Sequence, residues 1–166
     1  HLKLILLQLL LMMAHILIVD DEAAIRFLVR TVLESASHSV FEAQDGGTAL
    51  NMLETYPKPF DMIILDLRMP KMHGFEFLSI LQNRPIPVPV IILSAHSEQV
   101  PQALESVVSS RFLKPFRRQE LNDTVNRLLG ESTSPSYMEK RTETMTEYSL
   151  HGSGTDWFQP WYSIHR

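Results

Sequence analysis

The chain of 166 residues is long enough for one domain that buries most of the surface its unfolded form would expose. Its hydrophobic content of 45% and charged content of 20% are those of an ordinary soluble globular protein, and a formal charge of −4 argues against a dedicated nucleic-acid-binding protein. Cysteine is absent, which excludes disulfides and cysteine-ligated zinc and fits a reducing cytosol, so we expect a cytoplasmic protein.

Residues 1–13 form an apolar stretch ahead of the first predicted strand. A transmembrane helix needs about 20 apolar residues, which this stretch does not reach alone. A signal peptide would need a small-x-small cleavage site, and none precedes His15. We therefore interpret residues 1–13 as an extension outside the domain; a membrane tether is the less favoured alternative.

From residue 14 to residue 130, short apolar runs alternate with segments of helical periodicity. Strands are predicted over residues 16–19, 39–43, 62–65, 88–93 and 111–113. Apolar residues spaced by three and four predict helices over residues 25–33, 49–53, 75–83, 100–108 and 121–129, the last one closed by Gly130. Five successive strand–helix units predict an α/β fold with a parallel sheet and helices on both faces.

Two segments lack this periodicity. The proline-rich residues 85–89 form a stiff connector that keeps the chain extended before the fourth strand. Residues 131–166 are rich in Ser, Thr, Glu and Tyr, and they are too few to form a second domain. We interpret them as a largely disordered tail or a short docking segment, which leaves one domain over residues 14–130.

Chemically reactive side chains follow four of the predicted strands. They are Asp20 and Asp21 after the first strand, Asp66 after the third, Ser94 after the fourth and Lys114 after the fifth. The carboxyl ends of parallel strands meet at one edge of the sheet, so we expect these side chains to converge there.

Three clustered carboxylates repel one another unless a cation lies among them. Oxygen ligands with room for water suit Mg²⁺. A carboxylate held by the metal can act as a nucleophile and form an aspartyl phosphate, while a lysine and a hydroxyl bind the other phosphoryl oxygens. Taken singly, an acidic pair before a helix is more often a cap, and a strand-end Asp, Ser or Lys-Pro is ordinary. Their occurrence in this order along one sheet favours the functional interpretation.

Four segments of the chain resemble the receiver domain of two-component response regulators. They are the residues 16–22 (ILIVDDE), 63–70 (IILDLRMP), 92–95 (ILSA) and 112–116 (FLKPF). The resemblance covers about residues 14–130. It implies a flavodoxin-like sheet with the strand order 2-1-3-4-5 known from chemotaxis receivers.

The resemblance also implies what each residue does. Asp66 would accept a phosphoryl group from the phosphohistidine of a sensor histidine kinase or a phosphotransfer protein. Asp21, Asp66 and the backbone carbonyl of Arg68 would bind Mg²⁺, with Asp20 acting through water. Ser94 and Lys114 would contact the phosphoryl group. The protein would then be a phosphoacceptor rather than an enzyme, existing as a monomer or weak dimer away from the membrane.

Two positions depart from the family pattern. Receivers commonly carry an aromatic residue three positions before the lysine, where this chain has Arg111. This difference puts the aromatic half of the usual switch in doubt, so the candidate switch positions are Ser94 and Arg111. His73 stands where the family often has Asp, and we interpret it as an exposed loop residue.

Two other functions stay open. The chain could be a degenerate receiver that acts as a phosphorylation-independent interaction module. It could also be a Mg²⁺-dependent phosphohydrolase with an aspartyl-phosphate intermediate; such enzymes usually carry a second aspartate two positions after the nucleophile, where this chain has Arg68. No helix-turn-helix pattern follows residue 130, so we expect a stand-alone regulator that switches protein–protein interactions, with a downstream partner the sequence does not identify.

Overall fold

The computed structural model describes residues 1–5, 13–56, 59–84, 88–132 and 139. The strands are β1 (His15–Val19), β2 (Ser39–Ala43), β3 (Met62–Leu65), β4 (Val90–Ser94) and β5 (Val108–Leu113). The helices are α1 (Ala23–Ser35), α2 (Gly46–Thr55), α3 (Gly74–Gln82) and α4 (Arg118–Ser132), with a 3-10 helix at Gln102–Val107 before β5. Residues 6–12 of the apolar extension, residues 85–87 of the proline connector and nearly all of the predicted tail lie outside the described residues.

The strands form one parallel sheet in the order β2-β1-β3-β4-β5. This order confirms the flavodoxin-like α/β fold that the resemblance implied. Within the described ranges, the structure contains no helix whose length and apolar character would let it cross a membrane.

The central strand β3 is buried along its whole length because helices cover both faces of the sheet. Its alternate side chains enter two separate hydrophobic clusters: Ile63 and Leu65 on one face, Met62 and Ile64 on the other. The first cluster also contains residues of α2, α3 and the 3-10 helix, and the second contains residues of α1 and α4. Full burial of each such side chain contributes about 1.5–3 kcal/mol, so this packing fixes where β3 ends.

The predicted boundaries around β5 and at the end of α4 were wrong. The helix predicted over residues 100–108 is a 3-10 helix of six residues, and Val108 instead begins β5 and pairs with Val90. Half-buried and exposed residues alternate along β5, and its polar Ser109 and Ser110 hid this period of two in the sequence. Gly130 does not end the last helix, because α4 continues through it to Ser132.

His38 lies in the turn before β2 and is buried against the start of β1. Its Nδ1 accepts a hydrogen bond from the backbone N–H of Ala14 at 3.4 Å, which requires that nitrogen to be unprotonated. Burial lowers the pKa of His38 below the usual 6.5, and a hydrogen bond with Asn126 and the charge of Asp61 offset this only in part. The folded protein therefore holds the ring in its neutral form.

This burial predicts a pH-dependent loss of stability. The unfolded chain binds a proton on His38 more readily than the folded chain, so the free energy of unfolding falls as the pH decreases through about 6.5. Between pH 7.5 and pH 5.5, the wild type should lose stability relative to His38→Asn, by no more than about 1.4 kcal/mol, measured by urea unfolding. A wild-type-minus-His38→Asn difference that is constant with pH would contradict the prediction.

Candidate functional site

Two buried aspartates emerge from neighbouring strands at the carboxyl edge of the sheet. Asp20 follows β1, and its backbone N–H donates to the carbonyl of Ala43 at 3.1 Å. Asp66 follows β3, and its N–H donates to the carbonyl of Val19 at 2.8 Å. The sheet hydrogen bonding thus continues into both residues and fixes where their side chains start, at the edge where open α/β sheets bind ligands.

Asp20, Asp21 and Asp66 form one acidic cluster. Each contributes a carboxylate oxygen, and these oxygens lie within 4.8 Å of one another. Asp20 and Asp66 are buried, whereas Asp21 is exposed and opens the cluster to solvent. Oxygens on opposite sides of one Mg²⁺ ion are about 4.2 Å apart, given Mg–O distances of about 2.1 Å. The cluster is therefore consistent with the magnesium site of receiver domains.

Lys114 is the cation that the structure places against this cluster. Its backbone N–H donates to the carbonyl of Ser94 at 2.8 Å, which fixes its start at the same sheet edge. Its Nζ donates to Asp20 Oδ2 at 2.8 Å and to Glu22 Oε1 at 3.0 Å, and lies 3.7 Å from Asp66 Oδ2. The side chains of Lys114, Asp20 and Asp66 are all less than a tenth exposed, so these three groups are largely shielded from water, whereas Glu22 is exposed.

One lysine does not neutralise the cluster, and the pKa values of its groups reflect this. Burial, followed by the charge of Asp20, raises the pKa of Asp66 to about 6, although Lys114 partly opposes the rise. Burial also raises the pKa of Asp20 despite its hydrogen bond to Lys114. Burial alone would lower the pKa of Lys114, but its hydrogen bonds with Asp20 and Glu22 outweigh burial and raise it. The site thus carries an excess of negative charge that a divalent cation would relieve.

Ser94 and Arg68 lie beside the cluster. Ser94 is buried at the end of β4, and its Oγ accepts a hydrogen bond from the backbone N–H of His96 at 3.3 Å. The Arg68 N–H donates to Asp66 Oδ1 at 3.3 Å, while its side chain forms an ion pair with Glu98. The role of the Arg68 carbonyl as a metal ligand stays a prediction.

Arg111 points away from the acidic cluster. It is exposed on β5 and forms an ion pair with Glu105 of the 3-10 helix. Together with Ser94 it lines a cavity of about 400 Å³ between β5 and the loop after β4. The position that usually carries an aromatic residue thus holds a charged side chain that lines this cavity and is paired with Glu105.

Gly74 brings helix α3 against the backbone that directly follows β3. Its N–H donates to the carbonyl of Leu67 at 2.9 Å, and a Cβ there would lie 2.6 Å from Leu67 Cα and 2.9 Å from the Asp66 carbonyl oxygen. Only glycine permits this approach. His73, interpreted from sequence as a loop residue, caps α3: its Nδ1 accepts from the Phe75 N–H at 3.3 Å.

Sequence reasoning missed Glu22 and Arg26. Glu22 is a second carboxylate bound to Lys114, and Arg26 donates hydrogen bonds to the backbone carbonyls of Asp20 and Asp21. Glu22 could have been suspected because it directly follows the acidic pair. Arg26 carried a weaker signal: it is a basic residue in the first turn of the helix that follows the acidic pair.

The comparisons with known proteins agree with this geometry. The model of the family described as response regulator receiver domain matches residues 16–126. The chain is 41% identical over 111 residues to the KDP operon transcriptional regulatory protein KdpE of Escherichia coli, covering 66% of this chain and 48% of that protein. It is 34% identical over 116 residues to sporulation initiation phosphotransferase F of Bacillus subtilis, covering 69% of this chain and 92% of that protein. The chain spans about half the length of the transcriptional regulators it matches.

Solved receiver structures share the fold. The receiver domain of the Francisella response regulator 1452 superposes with a TM-score of 0.65 at 32% identity, covering 72% of this chain and 99% of that one. The response regulator TrrA of Thermotoga maritima, solved in complex with Mg²⁺-BeF, gives a TM-score of 0.62 at 28% identity, covering 70% of this chain and 99% of that one. Because the matched segment runs from β1 into α4 and includes every residue of the acidic cluster as well as Lys114, the chain belongs to the family of response regulator receiver domains.

Proposed function

We propose that this receiver takes part in phosphorelay signalling by accepting a phosphoryl group on Asp66 with the help of Mg²⁺. The donor is the phosphohistidine of a sensor histidine kinase or of a phosphotransfer protein. The observation that carries the proposal is the position of Asp66: a buried carboxylate in a cluster of three, with Lys114 Nζ at 3.7 Å. The phosphorus–nitrogen bond of the donor breaks as a bond from phosphorus to a carboxylate oxygen of Asp66 forms.

The chain's own residues prepare this transfer. Asp21, Asp66 and the Arg68 carbonyl would hold Mg²⁺, with Asp20 acting through water, and the bound ion supplies charge neutralisation for the phosphoryl oxygens. The Arg68 N–H donates to Asp66 Oδ1, while Asp66 Oδ2 lies 3.7 Å from Lys114 Nζ. In the metal-free protein the Asp66 carboxylate is mostly ionised above a pH of about 6, and the ionised carboxylate is the form that acts as the nucleophile.

Lys114 and Ser94 would bind the transferred group. The ammonium already lies between Asp20 and Asp66, so it meets the phosphoryl oxygens where their charge accumulates. The Ser94 hydroxyl, now bound to the His96 N–H, would donate to a phosphoryl oxygen and move the loop after β4 with it. Phosphorylation adds nearly two negative charges here, which biases the loop between two arrangements.

The output we propose is a change in protein–protein contacts. The loop after β4 leads into the cavity lined by Ser94 and Arg111, and the Arg111–Glu105 ion pair joins the 3-10 helix to β5. A stand-alone receiver over residues 14–130, a monomer or weak dimer in the cytoplasm, is consistent with the 92% coverage of sporulation initiation phosphotransferase F. The half coverage of the transcriptional regulators supports the alternative of a receiver within a longer protein.

The acceptor assignment predicts which substitution removes labelling. Wild-type protein incubated with ³²P-labelled acetyl phosphate and Mg²⁺ should take up label, and Asp66→Asn should take up none because the amide is not a nucleophile. Asp123→Asn, an exposed change on α4, is the matched control and should label like the wild type. Added EDTA should abolish labelling.

Each other result would identify a different function. Retained label on Asp66→Asn would contradict the acceptor assignment. A wild type that neither labels nor binds beryllofluoride would indicate a degenerate interaction module. Continuous release of phosphate from phosphomonoesters such as p-nitrophenyl phosphate would indicate a phosphohydrolase.

The raised pKa of Asp66 predicts that its charge destabilises the metal-free protein. The folded pKa of about 6 exceeds the usual 3.8, so this cost is absent at low pH, appears as the pH rises through 3.8 and is complete above about 6. In EDTA at pH 8, Asp66→Asn should therefore raise the free energy of unfolding by roughly 1–3 kcal/mol, an advantage that shrinks towards pH 4. Urea unfolding at both pH values measures it, and an equally stable or less stable variant at pH 8 would refute it.

A further inference from the structure

The turn between β1 and α1 carries the acidic pair, and one side chain binds its backbone. Arg26 Nη1 donates to the carbonyl oxygen of Asp20 at 2.8 Å and to that of Asp21 at 3.1 Å. The last sheet hydrogen bond of this segment is the one from the Asp20 N–H to Ala43, and both carbonyls lie beyond it along the chain. The peptide orientation at both aspartates is therefore held by a guanidinium reaching back from the first turns of α1.

Arg26 is itself held in place by an ion pair with Glu42. Its Nε lies 3.4 Å from Glu42 Oε1, and its side chain is 17% exposed. Glu42 belongs to β2, the strand next to β1, and also forms an ion pair with Arg30 of the same helix. Arg26 thus connects the turn of the acidic pair, through charge-assisted hydrogen bonds, to a neighbouring strand, through its ion pair with Glu42.

We propose that Arg26 is a positioning residue for the acidic cluster, orienting the carboxylates of Asp20 and Asp21 for a divalent cation. This inference rests on the proposed function, because it concerns the same metal site. Arg26 touches neither the carboxylates nor the phosphoryl group; it acts through the peptide units that carry them. Mg²⁺ requires nearly ideal octahedral geometry, so a small rotation of these peptides lowers its affinity.

The positive charge of Arg26 should lower Mg²⁺ affinity, whereas its positioning of the backbone should raise it. The direction in which Mg²⁺ affinity changes when Arg26 is replaced therefore tests the proposal. A guanidinium near a cation site repels the cation, so if Arg26 acted by charge alone, removing it would tighten Mg²⁺ binding. If Arg26 acts by positioning, removing it weakens binding. Arg30 is the matched control. Like Arg26, it lies on α1 and forms an ion pair with Glu42, but the hydrogen bonds to the two aspartate carbonyls come from Arg26.

The experiment measures Mg²⁺ affinity by isothermal titration calorimetry for the full chain and for Arg26→Met, Arg26→Lys and Arg30→Met. Arg26→Met should bind Mg²⁺ about tenfold more weakly or worse, as outer-shell substitutions at metal sites do. Arg26→Lys, which keeps the charge and one donor group, should recover part of the loss. Arg30→Met should stay within about twofold of the wild type, since the carbonyl contacts remain.

Urea unfolding in EDTA, run on all four proteins, separates positioning from loss of the fold. If Arg26→Met is too unstable to titrate, the comparison of Arg26→Lys with Arg30→Met decides: equal affinities would overturn the proposal. Tighter or unchanged binding by a folded Arg26→Met, or an equal loss in Arg30→Met, would also overturn it. Failure of the wild type itself to bind Mg²⁺ would instead refute the proposed function.

Discussion

The candidate site depends on carboxylates that repel one another being held together at one edge of the sheet. Adjacent parallel strands β1 and β3 end in buried carboxylates, and Lys114 is shared between them and Glu22. Neighbouring like charges in a shielded site would separate if their backbones were free. The sheet prevents this, because Asp20 and Asp66 are still hydrogen-bonded to the strands beside them. The hydrophobic packing of β3 therefore supplies the free energy that keeps the acidic cluster together.

The sequence was most informative where chemistry and topology coincide. Strand ends with reactive residues could be located because the apolar runs before Asp66 and Ser94 are short, continuous and bounded by turns. Parallel pairing then brings such ends to one edge, so the grouping of the acidic residues with Lys114 followed without coordinates. Element boundaries were less accessible: Val108 fitted the helical spacing of residues 100–108, the polar Ser109 and Ser110 hid the strand alternation that follows, and the pairing of Val108 with Val90 assigns it to β5.

Contacts made through the backbone could not be predicted in this way. Arg26 binds carbonyl oxygens, which every residue has, so no residue type in the sequence marks its partners. The pairing of Arg111 with Glu105 likewise depends on how the 3-10 helix turns back onto β5. The sequence shows which residues carry charge. The partner that a long charged side chain contacts depends on how the surrounding elements pack, which is visible only in the structure.

The acidic residues and the backbone contacts of Arg26 come together in the turn after β1. The acidic pair needs a rigid backbone to bind a small cation, yet it lies beyond the last residue of the strand, where rigidity would ordinarily decrease. Arg26 restores it by connecting that turn to β2 through Glu42. The outer strand β2 contributes no residue to the acidic cluster, but it becomes part of the site's support. Because the turn cannot move to separate the carboxylates, their repulsion persists in the metal-free protein, and a bound cation relieves it. This relief favours cation binding.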